Sequence, residues 1–242
     1  MMAFLTSKAW PMSWWSRKQE PVDMTVDRAA IAGQPLFSLF NKLAMMPHGP
    51  EGYAIQIIGA RPGAGASTIA RALAEFAAVN VDGPVLLVDA DPFDREQVRL
   101  SEIPLPNSLH DAQQGLVSLD DALRPLGTAD LMLAALTQPI ARRADGNVTW
   151  SLSISAMGEI VGQLRQRFRW IIFDSAPPQN LAFAHVLSRF VNGTVIVVEA
   201  ERTRLPVVQQ LIHQIRANGG KPVGLVINKR RLLISEFIYR FL

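Results

Sequence analysis

Residues 54–78 read as a buried strand, a glycine-rich turn and a helix with nothing between them, and few folds accommodate that succession. Ala54-Ile-Gln-Ile-Ile58 is a short apolar run rich in β-branched residues. Gly59-Ala-Arg-Pro-Gly-Ala-Gly-Ala-Ser-Thr68 breaks it with glycines and Pro62, and Ile69-Ala-Arg-Ala-Leu-Ala-Glu-Phe-Ala-Ala78 has strongly helix-forming composition. Gly63 and Gly65 allow an anion to approach the backbone without Cβ obstruction. The first N–H groups of the helix, reinforced by its dipole, would point at that anion. The backbone of Gly63, Ala64, Gly65, Ala66, Ser67 and Thr68 is therefore the expected cradle, with the Ser67 hydroxyl placed to ligate Mg²⁺ on a bound nucleotide. A strict phosphate-loop pattern fails twice, at Ala60 in place of its first glycine and at Ala66 in place of its lysine. A plain strand-turn-helix corner is the competing explanation.

Two further runs end in acids. Pro84-Val-Leu-Leu-Val-Asp89-Ala-Asp91 and Arg169-Trp-Ile-Ile-Phe-Asp174-Ser-Ala-Pro-Pro178 would place Asp89, Asp91 and Asp174 at the carboxyl ends of strands. In an open parallel sheet those ends border the ligand crevice. An acid after a strand is usually a turn former or a helix cap. Three beside one glycine turn can instead hold Mg²⁺ or polarise an attacking group. Apolar runs at 194–198 and 222–227 add buried strands, 131–136 is a further candidate strand, and helical stretches fall near 152–167, 180–190 and 206–218. The expected class is α/β, a doubly wound, mainly parallel sheet with helices on both faces.

With these motifs together, the chain resembles the MinD/ParA branch of P-loop ATPases. Within it, the chain looks most like the cytoplasmic ATPase domains of bacterial tyrosine kinases and exopolysaccharide-synthesis proteins. The resemblance rests on Gly59 to Thr68, on Val88-Asp89-Ala-Asp91 and on Phe173-Asp174-Ser-Ala-Pro-Pro178, and runs from about residue 34 to the C-terminus. The segment 107–123 is similar to one in which such proteins place a short helix, a Gly turn and a second helix. The resemblance implies ATP and Mg²⁺ as cofactors, with Asp89, Asp91 and Arg61 in catalytic roles and Ser67, Asp91 and Asp174 around the metal. It also implies that Asn228 bonds the adenine edge.

The departures limit what carries over. Losing the loop lysine removes a charge-assisted hydrogen bond, a cost of roughly 1.5–3 kcal/mol in binding. Removing one preorganised donor slows an electrostatic active site by on the order of 10²–10³. Arg61 sits where MinD and ParA relatives carry a signature lysine, which implies that it supplies the missing charge in cis or across a homodimer; a solvent-exposed turn arginine is the alternative. A tyrosine cluster of the kinase type is missing, since the chain has only Tyr53 and Tyr239. The Glu-x-x-Arg-x-x-Arg helix used in ring assembly is replaced by Gln34-Pro-Leu-Phe37-Ser-Leu-Phe40, so that contact is either lost or rebuilt as apolar packing.

At 242 residues and 49% hydrophobic, the chain can bury a full core as one domain, and with no cysteine it has no disulfide framework. A net charge of +3 is too small to imply nucleic acid. The expected organisation is a basic, Trp-rich tail over 1–33, a nucleotide-binding domain over 34–228 and a basic amphipathic segment over 229–242. The tail carries Lys8, Trp10, Trp14, Trp15, Arg17 and Lys18, suited to a bilayer interface or a protein groove, or simply to a flexible tail. The C-terminal segment, with Leu233, Phe237 and Phe241 on one stripe, either packs on its own domain or docks a partner. The four histidines lack metal-ligand spacing.

The functional expectation is a regulatory ATPase-like protein of exopolysaccharide or capsule synthesis or export. It would be cytoplasmic, peripheral at the inner face of the plasma membrane, and act as a nucleotide-dependent switch on a membrane-embedded chain-length regulator or exporter. Two alternatives stay open: an active ATPase or protein tyrosine kinase using Arg61, and a ParA-like, DNA-associated positioning ATPase using Arg202, Arg204, Arg216 and Lys221.

Overall fold

The computed structural model describes residues 34–47, 49–139, 152–177 and 183–229. Expectations for the tail over 1–33, for the segment beyond Lys229 and for Pro178 lie outside the described residues. The elements in chain order are α1 (Gln34–Ala44), β1 (Tyr53–Gly59), α2 (Ala66–Asn80), β2 (Val85–Ala90), α3 (Glu96–Ser101), α4 (Leu109–Gln113), β3 (Arg124–Leu126), β4 (Thr128–Ala135), α5 (Ile154–Arg167), β5 (Trp170–Ser175), α6 (Phe183–Leu187), β6 (Gly193–Glu199), α7 (Leu205–Ala217) and β7 (Pro222–Asn228). The seven strands form one sheet in the order β3-β4-β2-β5-β1-β6-β7. Every pairing is parallel except β3 with β4.

The continuous apolar runs follow from burial on both faces. On one face Ile55, Ile57, Val85, Leu87, Ile172, Val195 and Val197 pack against Ala70, Leu73, Ala74 and Ala77 of α2. On the other, Leu86, Val88, Ile171 and Phe173 pack against Met157, Ile160, Val161 and Leu164 of α5. Ile58, Ala60 and Ile196 meet Val208, Leu211 and Ile215 of α7. Ala60, which stands where a strict loop has glycine, thus has its methyl in a core. Gln56 is the polar exception inside β1. It is fully buried, donating to Ser175 Oγ (3.0 Å) and the Ala184 carbonyl (2.7 Å) and accepting from Thr194 Oγ1 (3.0 Å), so β5, α6 and β6 are tied to the central strand.

Some sequence expectations change. The second helix expected within 107–123 is a single 3₁₀ turn, Asp120–Ala122, because the chain turns at Leu123 into β3. The β3–β4 hairpin was not anticipated; Gly127, at φ 70°, supplies the left-handed turn between its strands. Among the described residues no helix is long and apolar enough to cross a membrane.

The phenylalanines of α1 settle part of one open question. Phe40 is buried, stacked on Trp170 at 5.0 Å and edge-on to Phe76 at 5.1 Å, so it belongs to this chain's own core. Phe37 stays 56% exposed, with only its edge near Phe76. Accordingly Phe40→Ala should cost about 3–5 kcal/mol in urea denaturation, whereas Phe37→Ala should cost less than about 1 kcal/mol. Equal losses for the two would contradict this packing.

Candidate functional site

The turn after β1 opens directly into α2. Gly63 (φ 73°) and Gly65 (φ 91°) adopt left-handed backbone, and Gly65 is the N-cap of α2 with no side-chain cap bond. The first-turn N–H groups of a helix have no partner within it, so this uncapped end presents donors of the kind that suit an anion. It opens on a cleft of about 610 Å³ lined by the loop from Arg61 to Thr68 and by Asp91, Asp94, Glu96, Asp174 and Lys229. Arg61, Gly63, Ala64, Gly65, Ala66, Ser67, Thr68, Asp91 and Asp174 are therefore brought together. The Ala66 methyl leaves the loop without a lysine of its own.

Asp89 is placed differently. It does not line the cleft; it is buried behind it, accepting N–H bonds from Val98 (3.1 Å) and Asp91 (3.3 Å). Burial raises its pKa to about 6, opposed by those two N–H bonds and by the nearby charge of Arg95. Asp91 lines the cleft, but its carboxylate also closes a turn by accepting from the N–H groups of Phe93 (2.9 Å) and Asp94 (3.3 Å). Among the described residues, no three acidic, His or Cys side chains lie together as a metal-ligand set, so the three acids do not converge on one ion.

Asp174 is the site's most perturbed group. Its side chain is buried, and burial first, then the neighbouring charge of Asp89, push its pKa up to about 8; hydrogen bonds with Gln97 and Ser67 oppose the rise. Asp174 Oδ1 is buried with no hydrogen-bond partner. That bare oxygen fits a divalent cation beside Ser67, since a cation there would replace the proton that otherwise neutralises the carboxyl.

Sequence reasoning missed the supports. Gln97 on α3 donates Nε2 to Asp174 Oδ2 (2.8 Å) and to the Ser67 carbonyl (2.7 Å). Arg71, buried on α2, holds Gln97 in turn through its side-chain oxygen (2.9 Å) and its carbonyl (2.8 Å). Glu199, at the end of β6, was missed too. It is nearly buried and faces Arg61 (3.2 Å), Arg202 (3.6 Å) and Lys229 (3.8 Å). Arg61 thus borders the cleft with its guanidinium already paired. Asn228 does not line the cleft, and both ends of its amide are engaged: Nδ2 donates to the Ala64 carbonyl (2.9 Å), and Oδ1 accepts from the Lys229 N–H (2.9 Å).

A parallel sheet whose first strand leads through a glycine turn into a helix N-terminus, with acids at the ends of the flanking strands, is the fold of MinD/ParA-type P-loop proteins. The structure of the MinD cell division protein of Aquifex aeolicus shares it (TM-score 0.58, 18% identity, 78% of this chain and 73% of that one). So does the kinase domain of the Escherichia coli tyrosine kinase ETK (TM-score 0.65, 20% identity, 82% of this chain and 76% of that one). In sequence the chain is similar to tyrosine-protein kinase CpsD of Streptococcus agalactiae, 24% identical over 184 residues, which cover 75% of this chain and 77% of CpsD. It is also similar to CapB of Staphylococcus aureus, 23% identical over 146 residues, which cover 60% of this chain and 61% of CapB. No family model matches the chain.

A pH prediction follows from Asp174. A carboxyl whose folded pKa is raised adds stability below its unfolded value, and that stability is lost as pH rises toward the folded pKa. Asp89 titrates near 6, and burial lowers the pKa values of His110 and His185 below 6.5, so Asp174 dominates among these groups between pH 7 and 8. In that window the ligand-free protein should lose stability with rising pH, by up to about 1.4 kcal/mol per pH unit. Asp174→Asn should flatten the slope in urea denaturation. An unchanged slope would show that Asp174 is not the titrating group.

Proposed function

We propose that this chain is an ATP- and Mg²⁺-binding regulatory protein of exopolysaccharide or capsule synthesis or export. In this reading it acts at the cytoplasmic face of the plasma membrane, as a nucleotide-dependent switch on a membrane-embedded chain-length regulator or exporter. One observation carries the nucleotide: the uncapped N-terminus of α2, with left-handed Gly63 and Gly65, shares a cleft with Asp174, whose inner oxygen has no partner. The likeness to CpsD supports the setting in polysaccharide synthesis. The cofactor would be held by the amides of residues 63–68, with Mg²⁺ at Ser67 and Asp174; when bound, it supplies an anhydride bond whose presence or loss distinguishes two states. Gln97 orients the Asp174 carboxyl, and Arg71 orients Gln97. Switching requires only that the two states bind nucleotide differently, not that hydrolysis be fast.

Slow turnover is the corresponding expectation. Ala66 contributes no charge to a transition state, and Arg61 is already paired with Glu199. Autophosphorylation is not supported at Tyr53, which is 1% exposed within the core. A DNA-riding role gains little: Arg202 is paired with Glu199, while Arg204 and Arg216 sit at opposite ends of α7, ~18 Å apart at 1.5 Å per residue.

Calorimetry of the full chain with Mg²⁺ and ATP should show binding at millimolar concentration or tighter. Ala66→Lys should tighten it by up to roughly tenfold. It should also raise hydrolysis by up to on the order of 10²–10³. A folded wild-type sample that releases no binding heat at millimolar ATP would remove the nucleotide from this protein's function.

A further inference from the structure

The cleft described above contains a cation that comes from the far end of the chain. Lys229 follows β7 directly, lies 166 residues from Gly63 in sequence, and is among the residues that line the cleft. Its backbone is left-handed, at φ 56°. A non-glycine residue rarely adopts that conformation, and where one does, the surroundings must hold it. Here they do: the Lys229 N–H donates to Asn228 Oδ1 at 2.9 Å, and Asn228 Nδ2 donates to the Ala64 carbonyl at 2.9 Å. The fit is close, since a Cβ on Gly65 would come within 2.2 Å of Asn228 Nδ2. The end of β7 is therefore stitched to the loop, and the stitch aims Lys229 across it.

The ammonium group reaches the loop itself. Lys229 Nζ donates to the Gly63 carbonyl at 2.6 Å and stands 3.8 Å from Glu199 Oε1. An ammonium carries three donors, so a neutral carbonyl and a longer ion pair leave it capacity for another acceptor. Among the described residues, the only other cationic side chain lining the cleft is Arg61, held by Glu199 at the shorter distance of 3.2 Å. Four acids among the described residues line the same space, namely Asp91, Asp94, Glu96 and Asp174. A polyphosphate entering such a cleft needs a point charge from somewhere, and Ala66 cannot give one.

We infer that Lys229 is a phosphate-binding residue of this site, taking from the end of β7 the part that a loop lysine at position 66 would otherwise play. It leaves Glu199 for the nucleotide's phosphates and keeps its place over the loop through Asn228. The inference rests on the nucleotide reading above, deepens it, and assigns a ligand contact to a residue that the sequence groups with the basic C-terminal segment.

The test is calorimetric titration of Mg²⁺ and ATP into the full-length wild type, Lys229→Ala, Lys229→Gln, and Lys229→Ala combined with Ala66→Lys, each checked for folding by circular dichroism. Lys229→Gln keeps a donor for the Gly63 carbonyl but not the charge, so it separates charge from support of the loop. Both single variants should bind roughly tenfold to a hundredfold more weakly than wild type, and Ala66→Lys should restore most of the loss. Three results overturn the inference while leaving nucleotide binding standing: wild-type affinity in Lys229→Ala, wild-type affinity in Lys229→Gln, or a loss that Ala66→Lys does not repair. Failure of the wild type itself to bind would instead strike the nucleotide reading, and this inference with it.

Discussion

The amide groups that open α2 have no partner inside their own helix, and the carboxyl edge of the sheet is organised around that unmet demand. A helix usually closes such an end with a serine, threonine or aspartate side chain. Here Gly65 occupies the cap position and contributes none, so the amides face an open cleft. The glycine turn that presents them is anchored below, where β1 is hydrogen-bonded between β5 and β6 and Ala60 donates its N–H to the Val197 carbonyl at 2.8 Å. A rigid central strand makes an uncapped helix end tolerable, because the fold's stability is drawn from the core on either side of the sheet and not from that first turn.

Two sets of supports converge on the opening from elements far apart in the chain. On one side Arg71, Gln97 and Asp174 form a buried relay that fixes an acid beside Ser67, with burial making its ionised form costly in the absence of a cation. On the other side Glu199 gathers Arg61, Arg202 and Lys229. The first set suits a divalent ion and the second an anion. Their placement on opposite flanks of one helix N-terminus is what a metal-bound polyphosphate would require, and it arises without a lysine in the loop.

Much of the architecture was legible because its signals are local. The runs ending at Ile58, Val88 and Phe173 are apolar but for Gln56, since both faces of a central parallel strand are buried, and each carries its glycine turn or acid immediately after it. What escaped was whatever depends on contacts across the sequence. Gln97 lies on the six-residue α3, too short to show a period, and its role exists only through Arg71 and Asp174. Glu199 and Lys229 look like ordinary strand-end charges until β6 and β7 are paired side by side. Asp89 and Asp91 read as equivalent partners, yet Asp89 lies within β2, buried behind the cleft with its carboxylate bonded to the Val98 N–H, whereas Asp91 follows the end of the strand and closes a turn at the cleft's rim. Asn228 shows the limit of the resemblance, because its amide is spent on Ala64 and Lys229 within the protein.

The most direct measurement of the central idea, that the amides opening α2 grip a triphosphate without a loop lysine, is an amide NMR titration of the isotope-labelled protein with Mg²⁺ and a non-hydrolysable ATP analogue. Large, saturable shifts at Gly63, Gly65, Ala66, Ser67 and Thr68, with α5 and α7 unmoved, are the expected result. Amides of residues 63–68 that stay unshifted at saturating analogue, or shifts confined to another surface, would contradict it.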